Sequence, residues 1–289
     1  MTLDQLRIFI EVAAESHITR AAERLNMTPS AVSAAINALE SRHGVKLFDR
    51  VGRSIVLNQT GRAFLDEARA LLARSRIAEA LLNDLAGLKR GELSIHASQT
   101  VGGYWLPPRL VRYHAAYPGI SLDIHIGNTE EAADAVEHGR CEIAIVEGLV
   151  ERPVISSRMV DTDEMIVVVA PNHPWATAPR EGIELEKTAW VLREPGSGTR
   201  LAFEAFTKQN GIDQANLDIP LVLPTNEAVL VAVRTGIGAT LASRSAAAAA
   251  LRGGLLVEVN WPVLPRPFYL LRHKERYRSQ AALAFEALA

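Results

Sequence analysis

From Thr60-Gly61 to Gly87 the chain carries neither proline nor an internal glycine and is rich in Ala, Leu, Arg and Glu, which predicts one continuous helix. Phe64, Ala68, Leu71, Ser75, Ala78, Leu82 and Leu85 follow steps of four and three, a coiled-coil seam interrupted only by Ser75. Such a seam serves a second copy of the chain, or a helix packed on its own domain. The helix divides the sequence into residues 1–59, a connector at 60–90 and a body at 91–289. With 48% hydrophobic residues, both flanking parts can build cores.

The first part reads as three short helices and a hairpin. Leu3, Leu6, Phe9, Ile10, Ala13 and Ala14 mark one face of a helix. Thr19 is the expected cap of a second helix through Ala21, Ala22 and Leu25. Thr28-Pro29, a cap followed by proline at the first helical position, opens a third that ends near Gly44. Val32, Ile36 and Leu39 face inward, leaving Thr28, Pro29, Ser30, Ser33 and Asn37 at the front of the last helix. Two short helices with a tight turn make a helix-turn-helix whose front can enter a major groove, although spacing alone also suits a plain three-helix bundle. The runs 47–50 and 54–57 predict two strands around Val51-Gly52-Arg53, a wing presenting Arg50 and Arg53 to phosphates. Eight basic and six acidic residues lie between positions 1 and 62, so the placement of charge matters more than its total, and binding to DNA should depend steeply on salt.

The body alternates strand-like and helix-like runs, as βαβ units with parallel sheets do: ELSIHAS, ISLDIHIGN and CEIAIVEG in one set, EMIVVVA, AWVLREPG, IPLVLPTN and GATLAS in another. Two similar α/β lobes are implied, with a ligand cleft between them. The loop LREPGSGTR, residues 192–200, lacks the glycine spacing and lysine of a P-loop. It remains a strand end, a glycine turn and a helix start, where N–H groups, hydroxyls and Arg200 can hold a small anion. Ser197, Gly198 and Thr199 would contribute from this lobe, and Ser98, Gln99 and Thr100 from the matching position in the other. Asn128, Thr129, Glu147 and Asn226 also follow or end strands and are candidate cleft residues. Simple helix capping would account for the same hydroxyls.

Enzyme chemistry finds little support. There is no HExxH, Ser197 is not in a GxSxG turn, the lone Cys141 has no partner for zinc, and six histidines from His96 to His273 lack ligand spacing. No metal or cofactor is expected. The absence of a secretory leader and of an 18-residue apolar run points to a cytoplasmic chain without membrane contact.

The opening LDQLRIFIEVAAESHITRAAERLNMTPSAVSAAINALESRHGVKLFDR, the wing, the long helix and the two-lobed remainder together resemble the LysR-type transcriptional regulators. The resemblance implies a winged helix-turn-helix, a linker helix and a periplasmic-binding-protein-like effector domain, with lobe I at 91–161 and 266–289 and lobe II at 162–265. The partners it implies are double-stranded promoter DNA, a small anionic effector and the chain itself, as a homodimer or homotetramer. ASQTVGGYWLP and EPGSGTR are similar to the members that sense sulfur oxyanions or carbon-fixation metabolites. Sulfite or a related oxyanion is the leading expectation, a phosphorylated or carboxylate metabolite the alternative, and a solute-binding receptor the distant one.

Overall fold

The computed structural model describes residues 1–52, 54–85 and 91–289 and falls into two compact units divided after Leu85. Arg53 and the last part of the expected connector, residues 86–90, lie outside the described residues.

The head comprises α1 (Leu3–Glu15), α2 (Ile18–Arg24), α3 (Pro29–His43), β1 (Phe48–Val51), β2 (Ser54–Leu57) and α4 (Gln59–Leu85). A capping box between Thr2 and Gln5 starts α1. Thr28 caps α3 ahead of Pro29, and Gly44 ends it in the left-handed conformation. The cap of α2 is His17 rather than Thr19: Ser16 turns left-handed at the end of α1, leaving His17 extended, so its ring nitrogen accepts from the Thr19 amide at 3.2 Å. Phe9 is the centre of the head, with ring centroids 5.4 Å from Phe48 and 5.0 Å from Phe64, while Val32, Ile36 and Leu39 bury the inner side of α3. The buried Glu40 accepts from the Leu47 amide at 2.9 Å and pairs with Lys46, tying the end of α3 to the wing. The early part of α4 packs on its own head through Phe64 and Ala68, whereas Leu71, Leu81 and Leu82 further along are exposed, Leu82 to 67%.

In the body, β3 (Gly91–Ser98) lies parallel to β4 (Ile120–Gly127) and β5 (Ile143–Glu147). A turn of π-helix, Val101–Trp105, leads into α5 (Leu106–Ala116), and α6 (Thr129–Glu137) follows β4. The second lobe carries β7 (Val191–Arg193) parallel to β8 (Leu221–Leu223), with α7 (Gly198–Gln209), α8 (Asn226–Arg234), β9 (Ala239–Ser243) and α9 (Arg244–Arg252). The architecture departs from two separate parallel sheets. One 15-residue strand, β6 (Ile155–Val169), and β11 (Leu264–His273) run antiparallel through both lobes and, with β9 and β10 (Val257–Glu258), join seven strands into one sheet. The first half of β6 hides from a hydropathy reading because its residues up to Asp161 are mostly polar and partly exposed. Helix α10 (Gln280–Leu288) returns to the first lobe, where Phe285 stacks edge-on against Tyr113 at 5.6 Å. Trp190, Phe203 and Phe206 fill the core of the second.

Candidate DNA-recognition face and inter-lobe anion site

On α3, Ser30, Ala34 and Asn37 are exposed on one face with Pro29 at its N-terminal tip, and Ser33 is half-buried behind them. Thr28 is spent locally, accepting from the Ala31 amide at 3.2 Å and sharing a hydrogen bond with the Ser30 hydroxyl at 3.1 Å. Arg50 stands exposed on β1, opposite Ile55 of the antiparallel wing. Arg20 and Arg24 are paired with Glu15 and Glu11. The head thus presents a short polar helix face, with an exposed arginine on its wing.

In the body, the carboxyl ends of β3 and β5 and the starts of α6, α7 and α8 converge, the place where ligands bind in open α/β sheets. Ser98 and Thr100 are each 1% exposed, Glu147 2% and Asn226 7%. The Glu147 carboxylate is the hub. It accepts from the Thr100 amide at 3.2 Å and from the Thr129 hydroxyl at 3.2 Å. Gly198 lies against it so closely that an added Cβ would stand 2.8 Å from both Glu147 Cβ and Oε2. Burial alone would raise this carboxyl, but the Arg266 guanidinium, helped by the hydroxyls of Ser98 and Thr100, holds it below the ordinary carboxylate range.

Arg266, on β11, is the cation that the sequence reading missed. It is 4% exposed, donates to Thr199 Oγ1 at 3.1 Å and Thr100 Oγ1 at 3.4 Å, and pairs with the buried Asp163 of β6, which also accepts from the Ser243 hydroxyl at 3.1 Å. Its only sequence signal is its position between two prolines in an apolar strand. Arg193, also unforeseen, is 3% exposed; it grips Glu194 through two N–H groups at 2.7 and 2.9 Å and reaches Asn226 Oδ1 at 2.6 Å.

The other expected residues divide clearly. Thr199 and Asn226 join the cluster, and Gln99 clasps the second lobe through its amide, donating to the Pro224 carbonyl at 2.8 Å and accepting from the Asn226 amide at 3.1 Å. Ser197 caps α7 by accepting from the Arg200 amide at 3.1 Å. Asn128 caps α6 by accepting from the Glu131 amide at 2.9 Å. Arg200 does not reach the cleft: its guanidinium lies along its own helix and donates to Glu204 at 2.9 Å, the partner offered by i,i+4 spacing. Two buried donors, Ser98 Oγ and Arg266 Nε, have no hydrogen-bond partner in good geometry. The anions these donors meet among the described residues are the protein's own carboxylates, Glu147 and Asp163.

Comparison with known proteins agrees with this division of labour. Residues 3–62 match the bacterial regulatory helix-turn-helix protein, lysR family, and residues 86–289 the LysR substrate binding domain. The chain is 34% identical over 287 residues to the HTH-type transcriptional regulator YeiE of Escherichia coli K12, covering 99% of this chain and 96% of the relative. It is 33% identical over 291 residues to the RuBisCO operon transcriptional regulator of Allochromatium vinosum, covering 99% and 94%. The crystal structure of full-length CbnR complexed with its target DNA superposes with a TM-score of 0.72 at 21% identity, over 100% of this chain and 98% of that one. The chain belongs to the LysR family of transcriptional regulators: a DNA-binding regulator with an effector-binding domain, and not an enzyme. Among the described residues no helix is long and apolar enough to cross a membrane.

Proposed function

We propose that this regulator's promoter binding is switched by a small oxyanion, with sulfite or a close relative as the leading candidate, bound between the lobes. The observation that carries this reading is a buried Glu147 carboxylate that accepts from the Thr100 amide and the Thr129 hydroxyl, with Arg266, itself paired with Asp163, acting on its charge and keeping Nε unpartnered. A small anion entering the cleft competes with Glu147 for these donors. Releasing the carboxylate alters contacts shared by both lobes, and a ligand that favours one lobe arrangement shifts the spacing of paired DNA heads. Pairing of heads is read from the exposed Leu71, Leu81 and Leu82 of α4, which suit a second copy as homodimer or homotetramer. The regulator works in the cytoplasm, where its promoter lies.

The test is calorimetric titration of the full chain with sulfite, sulfate, phosphate and phosphoglycolate, repeated with Thr100→Ala and Thr199→Ala. Binding of one inorganic anion, lost in both variants, supports the reading. Binding of phosphoglycolate alone transfers it to a phosphorylated metabolite. Glu147→Gln keeps the carboxamide within reach of Thr100 and Thr129 but removes the competing charge, so sulfite affinity is expected to rise by about tenfold or more. A fall in affinity would make Glu147 a partner of the ligand instead of its rival.

On the head, Ser30, Ser33 and Asn37 are read as facing base edges, with Thr28 and Pro29 placing the helix, and Arg50 and Arg53 as facing phosphates. Asn37→Ala is then expected to change the ranking of operator variants by about 1–3 kcal/mol per affected base pair. Arg50→Ala is expected to weaken all sequences alike and lower the salt slope by about one. Competition binding at several salt concentrations separates the two outcomes.

A further inference from the structure

The polar chain that enters the cleft from β7 has a direction. Arg193 Nη1 lies 2.6 Å from Asn226 Oδ1, and a guanidinium can only donate. That fixes which end of the Asn226 amide is oxygen, and therefore turns its NH2 group toward Thr100 Oγ1, 3.2 Å away across the lobes. Thr100 Oγ1 also accepts from Arg266 Nη2 at 3.4 Å. A hydroxyl oxygen has two lone pairs, and both are now engaged, so the proton is what Thr100 has left to offer. At present that proton favours the charged form of Glu147, the anion at the centre of the cleft.

Glu194 is the reason the chain cannot easily reverse. It holds Arg193 through two parallel N–H donors, in a guanidinium that is almost wholly buried, so the third N–H stays aimed at Asn226. No side chain of the bound ligand needs to touch Arg193 for this to matter. Its effect is exerted through the amide and the hydroxyl.

We propose that Arg193 is a positioning residue for effector selectivity: through Asn226 it obliges the Thr100 hydroxyl to donate, so the cleft prefers an oxyanion presenting a bare oxygen there over one presenting a protonated oxygen. The inference rests on the anion-binding reading above and deepens it by naming the protonation class of the ligand. Sulfate carries no proton near neutrality, whereas hydrogen phosphate of the same charge carries one.

The probes are therefore inorganic sulfate and inorganic phosphate, titrated calorimetrically into the full chain in mildly alkaline buffer where both are dianions. Wild type is expected to bind sulfate more tightly than phosphate. Asn226→Asp is isosteric and places an acceptor against Thr100, whose hydroxyl then turns to donate to it and shows the ligand a lone pair. The added charge weakens both dianions together, but the ratio of their affinities should shift toward phosphate by about tenfold, the worth of one reversed hydrogen bond. Arg193→Met frees the Asn226 amide to rotate; losing the cation weakens both dianions together, and the ratio should move in the same direction. A role in packing or in closing the lobes would weaken both probes in proportion and leave the ratio alone. An unchanged ratio in Asn226→Asp, or no preference for sulfate in wild type, overturns the inference while leaving the anion site standing. Failure of wild type to bind either probe overturns the inference, and failure to bind sulfite as well overturns the anion-binding reading with it.

Discussion

Replacing Arg266 by methionine is expected to lower the melting temperature of the effector domain by about 10 °C. Arg266 and Asp163 are 4% and 6% exposed, and Glu147, whose charge Arg266 also stabilises, is 2% exposed. Removing one partner of a buried pair typically costs about 3–5 kcal/mol, because the remaining charge keeps its desolvation penalty and loses its compensation. For a domain of this size each kcal/mol corresponds to about 2–4 °C. Here two carboxylates are left behind, so the cost belongs at the upper end. Asp163→Asn combined with Arg266→Met should recover part of the loss, since it removes one of the stranded charges.

The pH dependence of that variant distinguishes electrostatics from packing. In wild type the Glu147 carboxyl is held below its ordinary value, so its contribution to stability is complete above the unfolded-state pKa and is lost as pH falls through the lower folded one. Without Arg266, burial becomes the dominant influence and pushes the carboxyl upward instead. Acidification then protonates Glu147 early and relieves the stranded charge. The stability gap between variant and wild type should narrow as pH falls, and thermal scans across a pH series would show it. A gap independent of pH would mean that Arg266 acts mainly by filling space.

The second large effect is expected at Gly61, and its sign is opposite to what local propensity suggests. Gly61 lies inside α4, where alanine is ordinarily better than glycine by about 1 kcal/mol. An added Cβ, however, would stand 2.1 Å from the Leu47 carbonyl oxygen and 2.7 Å from a Leu57 methyl. The first of these is backbone at the entrance to the wing and cannot swing aside. Gly61→Ala must therefore push α4 away from the hairpin, which is expected to cost about 3 kcal/mol or more, by analogy with overpacking a filled core. DNA affinity should drop with it, because the wing carrying Arg50 shifts. Denaturant unfolding of the full chain, followed by fluorescence anisotropy on operator DNA, checks both consequences. Unchanged stability would show that the helix and hairpin tolerate separation.

The two effects mark where sequence reading stops. Local chemistry was legible wherever neighbours along the chain decide the outcome. Thr28-Pro29 and Gly44 bound α3, the absence of proline and of any glycine after Gly61 makes α4 continuous, and the apolar spacing of Val32, Ile36 and Leu39 sets its neighbour's inner face. The same logic located Ser98, Thr100, Thr129, Glu147, Thr199 and Asn226 at strand ends and helix starts, and these the fold gathers into one buried polar cluster. It also promoted Asn128, Ser197 and Arg200, because a cap and a ligand contact ask for the same residue types. Only the folded chain shows that the side chains of these three are engaged with their own helices.

What the sequence by itself determined is the order of parts, the family and the strand-to-helix positions that the fold brings together. The tertiary structure alone decided which charge those positions meet. Arg266 lies 166 residues from Thr100 and Arg193 lies 33 from Asn226, and Asp163 stands on a strand whose polar first half gives no hydropathy signal. Periodicity carries information over one helical turn or two strand residues. A buried ion pair is set by which strands cross, and β6 and β11 cross between the lobes to bring Asp163 and Arg266 together.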